Sequence, residues 1–189
     1  MDKSKMIGNN IKQILQEIDS VLVLTNEKEV DTFIQQILKA DKIVTAGAGR
    51  VGMAIRGFSM RLAHLGMNSH HLGDATVPSV GGEDLFIVAS GSGETQTIYD
   101  LVCIAKKNNT PIALITGNPE SRMGKEASVI VQIQAPSKTK SVGVLHSIQP
   151  MTTLNEQCLG IFFDAVVLSL MEKMNETHDT MWARHSNLE

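Results

Sequence analysis

Six consecutive residues, Ser90-Gly91-Ser92-Gly93-Glu94-Thr95, set two glycines among three short hydroxyl side chains. Glycine lets the backbone turn tightly, so several N–H groups can converge on one point. Ser90, Ser92 and Thr95 add hydroxyl donors, and the helix expected directly afterwards aims its positive end at the same place. Donors without a lysine suit one phosphate dianion on a small molecule. A nucleoside triphosphate loop is excluded, because the Gly-Lys-Ser/Thr ending that supplies its lysine and magnesium ligand is missing. Glu94 is the discordant member and must turn into the helix or toward substrate hydroxyls. The bland alternative is a serine/glycine linker ending in a helix cap.

A second glycine turn, Gly47-Ala48-Gly49-Arg50-Val51-Gly52, matches Gly-x-Gly-x-x-Gly between a predicted strand and a predicted helix. The dinucleotide reading also needs an acidic residue at the end of the next strand to hold a ribose. The chain there runs His70-His71-Leu72-Gly73-Asp74, and Asp74 falls past the strand. A non-nucleotide role therefore ranks above NAD binding, with tight strand–helix packing as the bland alternative. Arg50 stands where a guanidinium reaches an anionic ligand, and equally where a solvated charge occupies a first helical turn.

Candidates for proton transfer lie elsewhere. Thr153-Leu154-Asn155-Glu156 has the spacing of a capping box, and spacing alone favours that role for Glu156 over catalysis. Of the six histidines, His71 ends the second strand on the ligand side. His64 sits in the preceding helix, His146 in a polar loop, and His178 and His185 in the tail. His185 reads equally well as a surface group. No His-x-His or His-Glu-x-x-His spacing exists, so no metal site is expected. Cys103 and Cys158 fall in helical stretches and form no Cys-x-x-Cys pair, which suits buried thiols in a cytoplasmic chain.

The elements that must position these groups follow from periodicity. Residues 1–40 read as two amphipathic helices, the second opened by a capping box at Asn26 and Glu29. Over 41–135 strand and helix alternate: strands at 42–45, 68–72, 84–89, 111–116 and 128–134, helices at 50–65, 97–107 and 121–127. The strands are continuously apolar, which indicates a parallel sheet covered by helices on both faces. Residues 135–152 form a long polar loop of the kind that is often functional. The helix at 154–173 is apolar nearly all round, interrupted at Asp164 and Ser169, so part of it is expected at a subunit interface. The tail from 175 reads as a frayed terminus. The whole, 1–189, reads as one α/β domain: N-terminal helices at 1–40, the α/β core at 41–135, and loop, apolar helix and tail at 136–189.

Composition limits the partners. The 189 residues are 42% hydrophobic and 20% charged, with net charge −3, so nothing matches a nucleic-acid backbone. Aromatic residues are 4%, too few to stack bases. No unbroken apolar run is expected to cross a membrane, and the polar start is unlike a signal peptide.

Thr45-Ala46-Gly47-Ala48-Gly49-Arg50, the strand followed by SGSGET, and Asn118-Pro119-Glu120-Ser121 together resemble the sugar isomerase (SIS) domain family. Ser147-Ile148-Gln149-Pro150-Met151, the Glu156-Gln157 pair, Phe163-Asp164-Ala165-Val166 and the ending Arg184-His185-Ser186-Asn187-Leu188-Glu189 resemble its 6-phospho-3-hexuloisomerase branch. Val51-Gly52 and Thr152-Thr153 depart from it, where serine–glycine and glycine–serine are common. The resemblance implies a three-layer α/β/α sandwich on a five-stranded parallel sheet of flavodoxin-like order, and a homo-oligomer, expected to be a tetramer. It implies interconversion of D-arabino-hex-3-ulose 6-phosphate and D-fructose 6-phosphate, the isomerase step of formaldehyde fixation by the ribulose monophosphate route, without metal or organic cofactor. It casts Glu156 as the catalytic base and fits His185 as the proton shuttle, while His71 is a second candidate from its place at the end of the strand. Gly47, Arg50, Ser90, Gly91, Ser92, Gly93, Glu94 and Thr95 would bind the phosphosugar.

Overall fold

The computed structural model describes residues 4–136 and 147–188. His146 and most of the polar loop therefore lie outside the described residues. Helices α1 (Ser4–Leu22) and α2 (Glu27–Lys39) lead into β1 (Ile43–Gly47), α3 (Gly49–His64), β2 (Ser69–His71), β3 (Leu85–Ala89), α4 (Gln96–Lys107), β4 (Ile112–Thr116), α5 (Arg122–Glu126) and β5 (Val129–Gln132). Helix α6 (Thr153–Met174) and the short α7 (His178–Trp182) close the chain. Among the described residues the five strands form one parallel sheet in the order β2-β1-β3-β4-β5, the flavodoxin-like arrangement the resemblance implies.

Successive side chains of a strand point to opposite faces, so apolar residues at every position require cover on both sides. Ile43, Leu85, Ile87, Ala113, Ile115 and Val131 pack with α1, α2, α3 and α6. Their neighbours Val44, Ala46, Phe86, Val88, Ile112 and Leu114 pack under α4 and α5. Phe58 of α3 stacks on Phe163 of α6 at 4.6 Å, and this contact fixes α6 alongside α3. The chain order reverses between β1 and β3. There the helices after the two strands leave on opposite faces, so a crevice opens at the strands' carboxyl ends.

Three local expectations change. Helix α6 is long and apolar enough to span a bilayer by length and composition, contrary to the sequence reading. It packs instead against α3, α1 and α2, with Leu154, Cys158, Leu159, Phe162, Phe163, Val166 and Leu170 buried. The tail is not frayed throughout. Thr177 and Thr180 form a true capping box that starts α7, and Arg184 ties back to Glu176 at 2.9 Å. At Asn26 the cap forms toward the Lys28 amide, but Glu29 does not reach back; it accepts from the Gln132 amide and pins α2 to β5.

Candidate active site

The crevice at the β1/β3 switch point holds a cavity of 530 Å³. That is inside the roughly 300–1,000 Å³ range of small-molecule sites. Three helix N-termini meet there. Helix α3 contributes Gly49, Arg50 and Val51; the loop before α4 contributes Ser90, Gly91, Ser92 and Thr95; the start of α6 contributes Thr152, Thr153, Asn155 and Glu156. Each N-terminus carries partial positive charge on its unpaired amides, so the cavity favours an anion before any side chain is counted.

The SGSGET loop is built as a turn that keeps donors for something else. The Gly93 amide donates to the Ser90 carbonyl at 3.1 Å, and the Glu94 amide donates to Ser92 Oγ at 3.2 Å. Gly93 has φ +66°, and a Cβ there would stand 1.9 Å from Ser121 Oγ, so glycine is required on both counts. Thr95 is the N-cap residue of α4, yet its hydroxyl makes no cap hydrogen bond. Glu94 resolves its discord by leaving the cavity. Its carboxylate accepts from the Arg122 amide at 2.9 Å and from Arg122 Nε at 2.7 Å. Those bonds hold the carboxyl below the usual carboxylate range. Arg122 in turn lies over the Tyr99 ring at 4.5 Å. Glu94 and Gly93 thus shape the loop and do not line the cavity.

Gly47 is likewise outside the lining. A Cβ on Gly52 would come within 2.6 Å of the Gly47 carbonyl oxygen, so the two glycines let α3 start directly on β1. Asp74 pairs with Arg56 at 2.8 Å, not with anything in the glycine turn. The GAGRVG segment is therefore a packing device that delivers Arg50 to the cavity.

Glu156 is not a helix cap. Thr152 is the N-cap residue, and the Thr153 amide donates to the Pro150 carbonyl at 3.2 Å. One oxygen of Glu156, Oε1, accepts from Thr152 Oγ1 at 2.8 Å. The other, Oε2, lies 2.6 Å from Arg50 Nε yet has no hydrogen-bond partner among the described residues, so that contact is an ion pair without a directed N–H. Arg50 is the more solvated member, 62% exposed against 13% for Glu156. The carboxylate is oriented by a hydroxyl, paired with a cation, and belongs to a residue that lines the cavity.

The two histidine candidates lie elsewhere in the same chain. His71 Nδ1 meets Thr45 Oγ1 at 2.9 Å, and His71 lines a separate 660 Å³ cavity with Arg56, His70 and Asp74. Burial lowers its pKa, the Arg56 charge lowers it further, and Asp74 opposes both. His185 packs 5.3 Å from the His64 ring and 5.0 Å from Trp182. His64 ends α3, whose 16 residues begin at the cavity. At 1.5 Å per residue that places His185 about 24 Å away.

Sequence reasoning missed two contributors. Glu17 of α1 accepts from Ser147 Oγ at 2.7 Å, the Ile148 amide at 2.9 Å and Gln149 Nε2 at 3.1 Å. Burial works to raise its pKa, but these bonds together hold the carboxyl below its usual range. Glu17 so anchors the segment that carries Pro150 and Met151 to the cavity rim. The other is Asn155, 1% exposed beside Gly91. Its signal was present: Asn155-Glu156-Gln157 are three polar residues in one turn of an otherwise apolar helix, and such a turn cannot place all three in water.

The SIS domain family pattern matches residues 36–159, which includes both glycine turns and the first turn of α6. The chain belongs to the SIS domain family. Among relatives of this SIS domain, a Bacillus subtilis protein named 3-hexulose-6-phosphate isomerase is 40% identical over 179 residues, covering 95% of this chain and 97% of the relative. A Mycobacterium gastri protein of the same name is 36% identical, covering 97% and 92%. A crystal structure from Methanococcus jannaschii superposes with a TM-score of 0.83 at 30% identity, over 96% of this chain and 99% of that one. That structure is described as inferring a molecular function of 3-hexulose-6-phosphate isomerase.

Proposed function

We propose that this SIS domain interconverts D-arabino-hex-3-ulose 6-phosphate and D-fructose 6-phosphate. The observation that carries the proposal is a carboxylate, Glu156, in the same cavity as a lysine-free glycine–serine loop, with one oxygen that no described residue hydrogen-bonds. The names of the two relatives above support the same substrate pair.

The phosphate binds at Ser90, Gly91, Ser92 and Thr95, at the N-terminus of α4. Glu156 Oε2 removes the proton from C2 of the 3-hexulose, the C–H electrons form the C2=C3 double bond, and O3 takes a proton. The enediol then loses the O2 proton as C2 becomes a carbonyl, and Glu156 returns its proton to C3. One carboxylate serves both carbons because they are adjacent. Arg50 balances the Glu156 charge and lies close enough to stabilise the enediolate oxygens. Gly47, Gly93 and Glu94 support the site from behind, without touching substrate.

His185 and His71 do not line the cavity of their own chain, so either reaches the reaction only from a neighbouring copy. We assign the proton shuttle to His185 in that way. Met6, Ile7, Ile11 and Leu15 of α1 and Ile161 and Leu168 of α6 are exposed apolar residues that favour a homo-oligomer, read here as a tetramer. The reaction is placed in cytoplasmic formaldehyde fixation by the ribulose monophosphate route. Formation of fructose 6-phosphate from the 3-hexulose phosphate, followed by a coupled dehydrogenase that oxidises the product, tests the reaction. No product from that substrate, beside turnover of another phosphosugar, would sink it.

A further inference from the structure

Two polar side chains stand next to each other in the first turn of α6, and their situations differ. Glu156 has Thr152 and Arg50. Asn155 is 1% exposed, and among the described residues neither Oδ1 nor Nδ2 has a hydrogen-bond partner. No described side chain or backbone group satisfies it. A buried carboxamide left this way costs stability, and an apolar residue of the same shape would be better for the fold alone.

The place of this orphan is informative. Asn155 lines the cavity between the phosphate loop and Glu156. Its carboxamide lies against Gly91, where a Cβ would come within 2.9 Å of Oδ1 and 3.5 Å of Nδ2. Gly91 therefore makes room for it. The torsion that turns a carboxamide is soft, so a swing from Gly91 into the cavity meets a low barrier. A carboxamide offers a donor and an acceptor side by side. A phosphate dianion wants donors only and would repel Oδ1. Sugar hydroxyls both donate and accept, and a pair on neighbouring carbons matches the carboxamide in both roles.

We propose that Asn155 is a specificity-determining residue that binds the sugar hydroxyls between the phosphate end and the reacting carbons. The proposal rests on the phosphosugar reading of the cavity. The orphaned amide is the apo state of a substrate contact: ligand binding supplies the partners that the fold withholds. It follows that Asn155 reads the configuration of those hydroxyls, while the loop reads only the phosphate.

The test compares the full-length wild-type protein with Asn155→Leu, a variant of similar shape and no polar atoms. Calorimetry measures the Kd for fructose 6-phosphate and for inorganic phosphate. Asn155→Leu is expected to weaken fructose 6-phosphate by roughly tenfold or more, the worth of a lost hydrogen-bond pair. Phosphate affinity should stay within twofold and the apo melting temperature should hold or rise. In turnover KM should rise with kcat within about threefold. Asn155→Ala serves the same comparison if the leucine variant folds poorly. Unchanged fructose 6-phosphate affinity, or equal losses for both ligands, would overturn the role of Asn155. Those binding results stand whether or not the wild type turns over the 3-hexulose phosphate, so a failure of the assigned reaction is read separately.

Discussion

Replacing Glu156 by glutamine separates catalysis from folding, because the structure bounds both effects. The change is isosteric, and Thr152 Oγ1 can still donate to the remaining carbonyl oxygen, as it now does at 2.8 Å. What is lost is the charge opposite Arg50. Arg50 is 62% exposed, so solvent screens the pair, and such pairs contribute about 0–1 kcal/mol. For a domain of this size that moves the melting temperature by no more than about 2–4 °C. The amide, however, cannot accept the C2 proton. General-base catalysis is worth roughly 10²–10⁴-fold, or about 2.7–5.4 kcal/mol in the barrier. Turnover should thus fall by two to four decades, with little change in melting temperature and fructose 6-phosphate still bound. The assay is coupled oxidation of the product, with deuterium incorporation at C3 of fructose 6-phosphate in heavy water as a second readout. Both signals pass through the same carboxylate and should fall together. A variant that keeps kcat within tenfold of wild type, or still exchanges the C3 proton at the wild-type rate, refutes the assignment.

Other consequences are equally direct. Ser92→Ala removes a hydroxyl of a cavity-lining residue; if the loop holds the phosphate as proposed, KM should rise about tenfold or more with kcat nearly unchanged, as steady-state kinetics will show. Gly52→Ala drives a methyl to 2.6 Å from the Gly47 carbonyl oxygen, and urea denaturation should register a loss of about 1–3 kcal/mol. Glu176 is held down to about 2 by its hydrogen bonds from Arg184 and Thr180, so it stabilises the tail above its ordinary value of 4.5 and loses that effect as pH falls toward 2. Melting curves of wild type and Glu176→Gln should therefore differ most above pH 4.5 and converge near pH 2; a gap that does not narrow on acidification contradicts this. Burial pushes the Cys158 thiol up to about 12, so a disulfide reagent at pH 8 should leave it untouched until denaturant is added.

The chemistry and the fold class were legible in the sequence for different reasons. Tight turns are made by backbone, and glycine spacing governs backbone, so the SGSGET turn ahead of a helix could be read from six letters. The parallel sheet was legible because strands buried on both faces carry no polar alternation: LFIVA and IALIT leave no side for water. The same locality explains the errors. Thr153 to Glu156 has the spacing of a capping box, yet the helix starts on Thr152 and the glutamate faces Arg50, 106 positions earlier in the chain. Glu94 belonged to the loop by position but is drawn off by Arg122, 28 residues on. Glu17 and Ser147 are separated by 130 residues, beyond any local pattern.

The sequence by itself determined the alternation of strand and helix, the tight glycine loop and the apolar character of the last helix, since each depends on neighbours within one turn or one strand. Only the tertiary structure decided which polar residues meet in the cavity. Packing α6 beside α3 at the β1/β3 crevice brings Arg50 to Glu156, leaves Asn155 against Gly91 without a partner among the described residues, and sends His185 to the far end of its own chain. Those outcomes are set by side-chain contacts between helices distant in sequence, and periodicity carries no record of them.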